Sequence, residues 1–152
     1  MRKCMTVFIA LALLAAGGAA WAATTTVGVS ANVVGTCQVT NTFGDPQIAF
    51  GQLDQVTAPP VTGVVTQPTF WCTKNTTASI GDDLGANDAA GVYRMTNGTD
   101  FIAYTFTYTA SAPGTGKTTP ITMDIAASIP AGTYSDVSAG SYADSILLTI
   151  TP

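Results

Sequence analysis

The sequence predicts an all-β protein, an antiparallel β-sandwich, and two observations carry this prediction. Apolar and polar residues alternate over short runs that are rich in Thr and Val, which is the pattern of half-buried strands. Gly, Pro, Asn and Asp separate these runs at short intervals, as expected for strands joined by tight turns. Many short strands with frequent turns are typical of a sandwich.

The amino-terminal 22 residues have the organisation of a secretory signal peptide. Arg2 and Lys3 precede an apolar run over residues 5–16, and the small-residue site Ala-Trp-Ala follows at residues 20–22. The apolar run is shorter than the ~20 residues that cross a bilayer, so we expect no stable membrane span. Cleavage after residue 22 would remove Cys4 and leave 130 of the 152 residues, which is enough for one domain.

Nine segments of the mature chain carry the strand pattern. They are residues 25–34, 37–41, 47–52, 64–72, 78–80, 91–95, 101–109, 118–126 and 145–151. Asn97-Gly98 predicts a hairpin between the segments at 91–95 and 101–109, because both residues tolerate positive φ. The Pro- and Gly-rich stretches are predicted to be loops, and they lie at residues 59–60, 111–116 and 129–132.

Charge and composition exclude several functions. Cleavage would remove two of the five basic residues and leave three against nine aspartates, a net charge of −6. We expect no nucleic-acid binding, because phosphate recognition needs clustered Lys and Arg. Hydrolases of the Ser-His-Asp or Cys-His type need an imidazole as general base, and the chain has no histidine. We therefore expect no enzyme activity, no catalytic residues and no cofactor.

Two cysteines, Cys37 and Cys72, remain after export to an oxidising compartment. A disulfide between them is predicted. The alternative is a two-thiolate metal or redox site, but the chain has neither histidine nor a CxxC spacing. Closing this 35-residue loop should stabilise the fold by about 4 kcal/mol in the chain-entropy model.

Each end of the mature chain carries a strand that needs a partner strand. An amphipathic strand directly follows the cleavage site, and its apolar face comprises Val27, Val29, Ala31 and Val33. The final strand is of core quality, and its alternate apolar residues are Ile146, Leu148 and Ile150. An open apolar edge is a liability in a secreted protein. Either the amino-terminal strand folds back within its own chain, or another molecule supplies the missing strand, as in donor-strand complementation.

Two groups of side chains are candidates for ligand binding. The first could form a carboxylate pair or a calcium site, and it comprises Asp82, Asp83, Asn87 and Asp88. These residues lie in a Gly-bearing loop without EF-hand spacing or glutamate, so a surface loop is the favoured interpretation and no metal is expected. The second group could form a sugar platform, and it comprises Phe101, Tyr104, Phe106 and Tyr108. The last three share a strand face, which favours the core.

Several motifs resemble one known family. They are Gly35-Thr36-Cys37, Ile48 to Gly51, Phe70 to Thr73, Tyr93-Arg94-Met95, Ile129 to Gly132 and the ending Gly140 to Ser145. Together they resemble the spore coat protein U domain, the subunit of archaic chaperone–usher pili. By position in this pattern, Arg94 is expected to be a structural hydrogen-bonding anchor.

The resemblance implies an incomplete immunoglobulin-like antiparallel β-sandwich that lacks its last strand and is completed by a donor strand. It implies a donor-strand extension at residues 23–36 and a pilin domain at residues 37–152, with the carboxyl-terminal strand as one wall of the acceptor groove. The implied partners are a periplasmic chaperone, an outer-membrane usher and other pilin subunits. The chain would cross the inner membrane, reside in the periplasm during assembly and end in a cell-surface fimbrium with a role in adhesion and biofilm formation.

Three alternatives remain open at the level of sequence. The first is a self-complete secreted binding module, for carbohydrate or a surface ligand, in which residues 25–34 pair within their own sheet. The second is a spore-coat component. The third is a fibre-tip adhesin, which is disfavoured because 130 residues cannot hold a binding domain and a pilin domain.

Overall fold

The computed structural model describes residues 23–40 and 46–152. The predicted signal peptide at residues 1–22 lies outside the described residues, and so does the end of the strand predicted at 37–41. The chain divides into two units, residues 1–32 and residues 33–152. Across the described ranges, no helix has the length and apolar character needed to cross a membrane.

The described part of the chain forms twelve β-strands. They are β1 Cys37–Val39, β2 Ile48–Ala49, β3 Val61–Thr62, β4 Val64–Val65, β5 Thr69–Cys72, β6 Thr77–Asp82, β7 Tyr93–Thr96, β8 Phe101–Tyr108, β9 Ser111–Pro113, β10 Ile121–Thr122, β11 Ile125–Ile129 and β12 Leu148–Thr151. The longest, β8, alternates exposed or half-buried residues with buried ones from Phe101 to Thr107.

Every strand pairing within residues 23–40 and 46–152 is antiparallel, which confirms the predicted fold class. The strand orders in the described sheets are β1-β5-β10, β3-β11-β8-β7, β12-β6-β9 and β2-β4. β7 and β8 form the predicted hairpin, in which Gly98 takes a φ of 91°. Glycine accepts this conformation because it has no Cβ.

One hydrophobic core joins the inner faces of these sheets. β8 contributes Ile102, Tyr104 and Phe106, while β5 and β6 contribute residues from two other sheets, among them Phe70 and Ile80. Successive strand residues point to opposite faces, so the alternation along β8 places every second side chain in this core. The prediction that the aromatic face of β8 belongs to the core is confirmed.

Four predictions about elements are wrong. The single strand predicted at 64–72 is divided into β4, which pairs with β2, and β5, which pairs with β1 and β10. Residues 25–34 form no strand. The loop predicted at 111–116 contains β9, because Ala112 is buried opposite Ala78 on β6 and this pairing outweighs the local Pro and Gly signal. The single strand predicted at 118–126 is divided into β10, which pairs with β5, and β11, which pairs with β8, so the chain changes sheets between them.

Candidate functional site

An open groove of about 700 Å³ lies beside the carboxyl-terminal strand. Three parts of residues 33–152 line it: the segment from Asp144 to Ile150, the segment around β1 and β2, and the inner face of the core. The side chains from the core are Met95, Tyr104, Phe106, Met123 and Ile125. The groove is therefore mainly apolar and reaches down to the buried face of β8.

Two strand edges border this groove. β1 pairs with β5 on one side, and β12 pairs with β6 on one side; in the described ranges neither has a strand on its other side. Val39 at the end of β1 and Leu148 and Ile150 on β12 all line the groove. The two strands converge at one end, where a Cβ added to Gly35 would lie 3.7 Å from Pro152 Cβ. Both edges thus offer unpaired backbone groups beside an apolar cavity.

The three residues predicted as a groove wall all line the groove. Ile146, Leu148 and Ile150 are half-buried, and the intervening Leu147 is 64% exposed, as strand alternation requires. On the predicted donor segment, Val27 is 78% exposed and Val29 is 92% exposed. Both valines leave most of their surface in water.

The predicted disulfide between Cys37 and Cys72 is present. It joins β1 to β5 at a position where the two cysteines are directly opposite each other in the ladder. Thr36 and Thr73 continue this connection, since Thr73 N donates to Thr36 O at 2.9 Å and Thr36 N donates to Thr73 Oγ1 at 3.1 Å. The short strand that borders one side of the groove is therefore covalently fixed to the core.

Polar bonds hold the segment that leads into β12. Tyr104 Oη donates to Asp144 Oδ2 at 2.6 Å, and Asn87 Nδ2 donates to Asp144 Oδ1 at 2.9 Å. Leu147 N donates to Asp83 Oδ1 at 2.9 Å. These contacts tie the groove wall to β8 and to the turn that follows β6.

A second carboxylate joins the two sheets that contain β6 and β8. Tyr93 Oη and Tyr108 Oη donate to the two oxygens of Asp82 at 2.5 and 2.9 Å. We refer to Asp82, Asp144, Tyr93, Tyr104 and Tyr108 as the tyrosine–aspartate network. These bonds cross-link the inner layers of the fold beside the groove.

These hydrogen bonds, together with burial, shift the pKa values of side chains in the network. Desolvation opposes ionisation of Asp82, but the hydrogen bonds from the two tyrosines and from backbone amides outweigh it and lower the pKa of that carboxyl. Burial, followed by the bonds to aspartate, raises the pKa of Tyr93 and of Tyr104 above the ordinary value. For Tyr108 the bond to Asp82 is the largest cause of a raised pKa. The network is therefore most stable when the carboxyl of Asp82 is charged and the three tyrosines are neutral.

Two of the three aspartates that could have formed a calcium site or a catalytic pair have structural partners for their carboxylates. Asp82 and Asp83 accept the bonds described above, and the described residues contain no group of three or more His, Cys, Asp or Glu side chains placed to hold a metal ion. Arg94 Nε donates to Asn87 O at 3.1 Å, and its guanidinium lies 4.3 Å from the centroid of the Phe101 ring. The prediction that Arg94 is a structural anchor is confirmed.

Residues 23–149 match the family model for the Spore Coat Protein U domain. The chain belongs to this family. It is also similar to a chain in the crystal structure of the CsuC–CsuE chaperone–tip adhesion subunit pre-assembly complex from the archaic chaperone–usher Csu pili of Acinetobacter baumannii. That likeness has 19% identity and a TM-score of 0.44, and it covers 78% of this chain but 40% of that chain. No curated protein matches the sequence significantly.

Sequence reasoning missed most of the residues that shape the groove of this spore coat protein U domain. On the other side of the groove, Val39 belongs to no motif, and Ile48 and Phe50 belong to the motif Ile48 to Gly51, but short apolar runs of this kind do not indicate which strand faces a groove. Asp144 lies in the ending Gly140 to Ser145, which marks the family, but its bond to Tyr104 spans 40 residues. Only the fold brings that pair together.

Proposed function

We propose that this spore coat protein U domain protein is a structural subunit of a surface pilus and not an enzyme. Subunits would join by donor-strand complementation, with a periplasmic chaperone and an outer-membrane usher as assembly partners and other pilin subunits as neighbours. The single observation that carries the proposal is the apolar groove bordered by the free edges of β1 and β12. The same proposal includes export by a signal peptide at residues 1–22, assembly in the periplasm and a final place in a cell-surface fimbrium that serves adhesion and biofilm formation.

The shape of the groove supports a strand as its occupant. Neighbouring strands lie about 4.8 Å apart and exchange backbone hydrogen bonds. A strand inserted between β1 and β12 would satisfy both edges and would connect the sheet β1-β5-β10 with the sheet β12-β6-β9. Its inward side chains would meet the apolar lining, which includes Ile146 and Phe106. The proposed acceptor wall is Ile146, Leu148 and Ile150.

The amino-terminal segment has the properties of such a strand. Val27, Val29 and Val33 are 78%, 92% and 78% exposed, and Ala31 is exposed as well. Burial of each valine would contribute roughly 1.5–3 kcal/mol, with Ala31 adding less. We propose that residues 23–36 of one subunit fill the groove of the next. A contact of this head-to-tail type is heterologous, so it extends into an open fibre when the rotation between subunits does not close a ring.

The test compares polymer formation by four forms of the exported chain on an unheated denaturing gel. The forms are the unaltered chain, a chain lacking residues 23–36, Val29→Asp on the proposed inward face, and Ser30→Asp on the opposite face as the matched control. We expect a ladder that collapses on heating for the unaltered chain and for Ser30→Asp. The truncated chain and Val29→Asp should run as monomers, because a charge cannot enter an apolar groove without a large desolvation cost.

Folded monomers from all four forms would refute the proposal. That result would mean that the groove is filled within the chain, as in the self-complete binding module for carbohydrate or a surface ligand. Equal ladders from Val29→Asp and Ser30→Asp would show that this face of residues 25–33 is not the donor surface.

A further inference from the structure

The part of the groove wall that contains Ile146 is held by single hydrogen bonds, most of them from side chains, and not by a β-ladder. The β12–β6 ladder begins at the pair Leu148 and Asp82. On the amino-terminal side, the next backbone contact of the wall is a single bond, in which Ala86 N donates to Ser145 O at 2.9 Å; the isolated bridge between Ala143 and Thr96 lies beyond it. Ile146, which lines the groove, lies between these two points.

The backbone after β6 turns away from the wall at the point where the ladder ends. Leu84 and Gly85 both take left-handed conformations, with φ values of 66° and 83°. Such a φ is unusual for leucine and persists only when surrounding contacts hold it. The turn is held by Leu84 N donating to Asp82 Oδ2 at 3.2 Å and by Gly85 N donating to Asp83 Oδ1 at 3.0 Å.

Because of this turn, the backbone after β6 no longer offers an acceptor to the groove wall, and the side chain of Asp83 accepts instead. Leu147 N donates to Asp83 Oδ1, the same oxygen that accepts from Gly85 N. One carboxylate oxygen therefore holds the turn and the groove wall together. Gly85 also lies against the wall, since a Cβ added there would be 2.5 Å from Asp144 Oδ2. The bond from Leu147 N is the largest cause of the lowered pKa of Asp83, which remains charged at neutral pH.

From this geometry we propose that Asp83 is a positioning residue for strand acceptance, and the proposal rests on the function proposed above. By accepting from Leu147 N, Asp83 fixes the backbone that leads into β12. Ile146 is therefore ordered although it lies outside the ladder. A donor strand then meets a wall whose edge and apolar face are already in place, so less conformational entropy is lost on docking. Without this bond, Ile146 and Leu147 would be held only through their neighbours Ser145 and Leu148, and their order would have to be completed during docking.

The test measures binding of a fluorescein-labelled synthetic peptide of residues 23–36 to the exported chain by fluorescence anisotropy. All proteins carry Val29→Asp, so that their own donor segment does not compete with the peptide. Asp83→Ala removes the acceptor, and Asp83→Asn retains an oxygen that accepts from both amides. Asp136→Ala is the matched control, because Asp136 is an exposed aspartate outside the groove lining.

We expect Asp83→Ala to lower the affinity for the peptide about tenfold, the effect of one lost hydrogen bond to a charged group. Asp83→Asn should restore the affinity to within about twofold of the parent, and Asp136→Ala should equal the parent. Affinities are referred to the folded fraction, which is measured for each variant by urea unfolding. A purely structural role would then leave the affinity of the folded fraction unchanged.

Three results would contradict either the proposed function or the positioning role of Asp83. If the parent does not bind the peptide, the proposed function fails. If the parent binds and folded Asp83→Ala binds equally well, the function stands and the positioning role is refuted. If Asp83→Asn binds as weakly as Asp83→Ala, the hydrogen-bond acceptor is not what positions the wall, and the proposal also fails.

Discussion

Reduction of the disulfide between Cys37 and Cys72 should remove a large part of the stability of this domain. The two residues are separated by 35 positions. In the chain-entropy model, closing a loop of that length stabilises the folded state by about 4 kcal/mol. The usual stability of a whole domain is roughly 5–15 kcal/mol, so the loss is a substantial fraction of the total.

The expected shift can be measured by urea unfolding with Trp71 as the reporter, because Trp71 is half-buried and adjacent to Cys72. With a urea dependence of roughly 2 kcal/mol per M, a loss of about 4 kcal/mol moves the midpoint down by about 2 M. The Val29→Asp form is used, since it should remain monomeric. Unfolding is compared between the oxidised and the reduced protein.

A double variant, Cys37→Ala with Cys72→Ala, separates the cross-link from the packing of the sulfur atoms. Cys72 is completely buried, so this variant loses some core contacts in addition to the bond. It should therefore be slightly less stable than the reduced protein. A midpoint shift below about 0.5 M on reduction would refute the reasoning, since it corresponds to only about 1 kcal/mol.

Two further predictions concern the network and one tight turn. The tyrosines of the tyrosine–aspartate network have raised pKa values, so the stability that they confer is fully present below pH ~10 and is lost as the pH rises through those values. Absorbance of tyrosinate and circular dichroism should change together above pH ~10, and ionisation of these tyrosines with the fold intact would contradict this. Gly114→Ala should cost about 2 kcal/mol or more in unfolding free energy, because its Cβ would lie 2.8 Å from Thr76 O and would overlap Thr73 O. Gly81→Ala is the control, since nothing lies within 4 Å of its added Cβ; equal losses would contradict the steric argument.

The features predicted most successfully are those whose cause is local. The pattern over residues 101–109 predicts β8, because every second side chain of a half-buried strand points into the core of the protein. Asn97-Gly98 predicts the hairpin, because Gly98 takes the positive φ that the turn requires. The disulfide follows from the presence of only two cysteines after residue 22.

The features that sequence reasoning missed depend on contacts between distant segments. β9 forms in a Pro- and Gly-rich stretch because β6 provides a partner that buries Ala112. Residues 25–34 have a clear amphipathic pattern and yet form no strand, because a strand needs the backbone of a partner to satisfy its hydrogen bonds. The same pattern motivates the proposal that another subunit provides that partner.

The sequence alone determined the antiparallel all-β class, the disulfide and the three alternate residues Ile146, Leu148 and Ile150, since each depends on composition or on local periodicity. Only the tertiary structure decided that these residues share a groove with the free edge of β1, and that Asp83 and Asp144 hold the intervening segment. The physical reason is that hydrogen bonds such as that from Leu147 N to Asp83 join residues 64 positions apart. No local pattern encodes such a pair, and it forms only when packing of the core brings its two segments together.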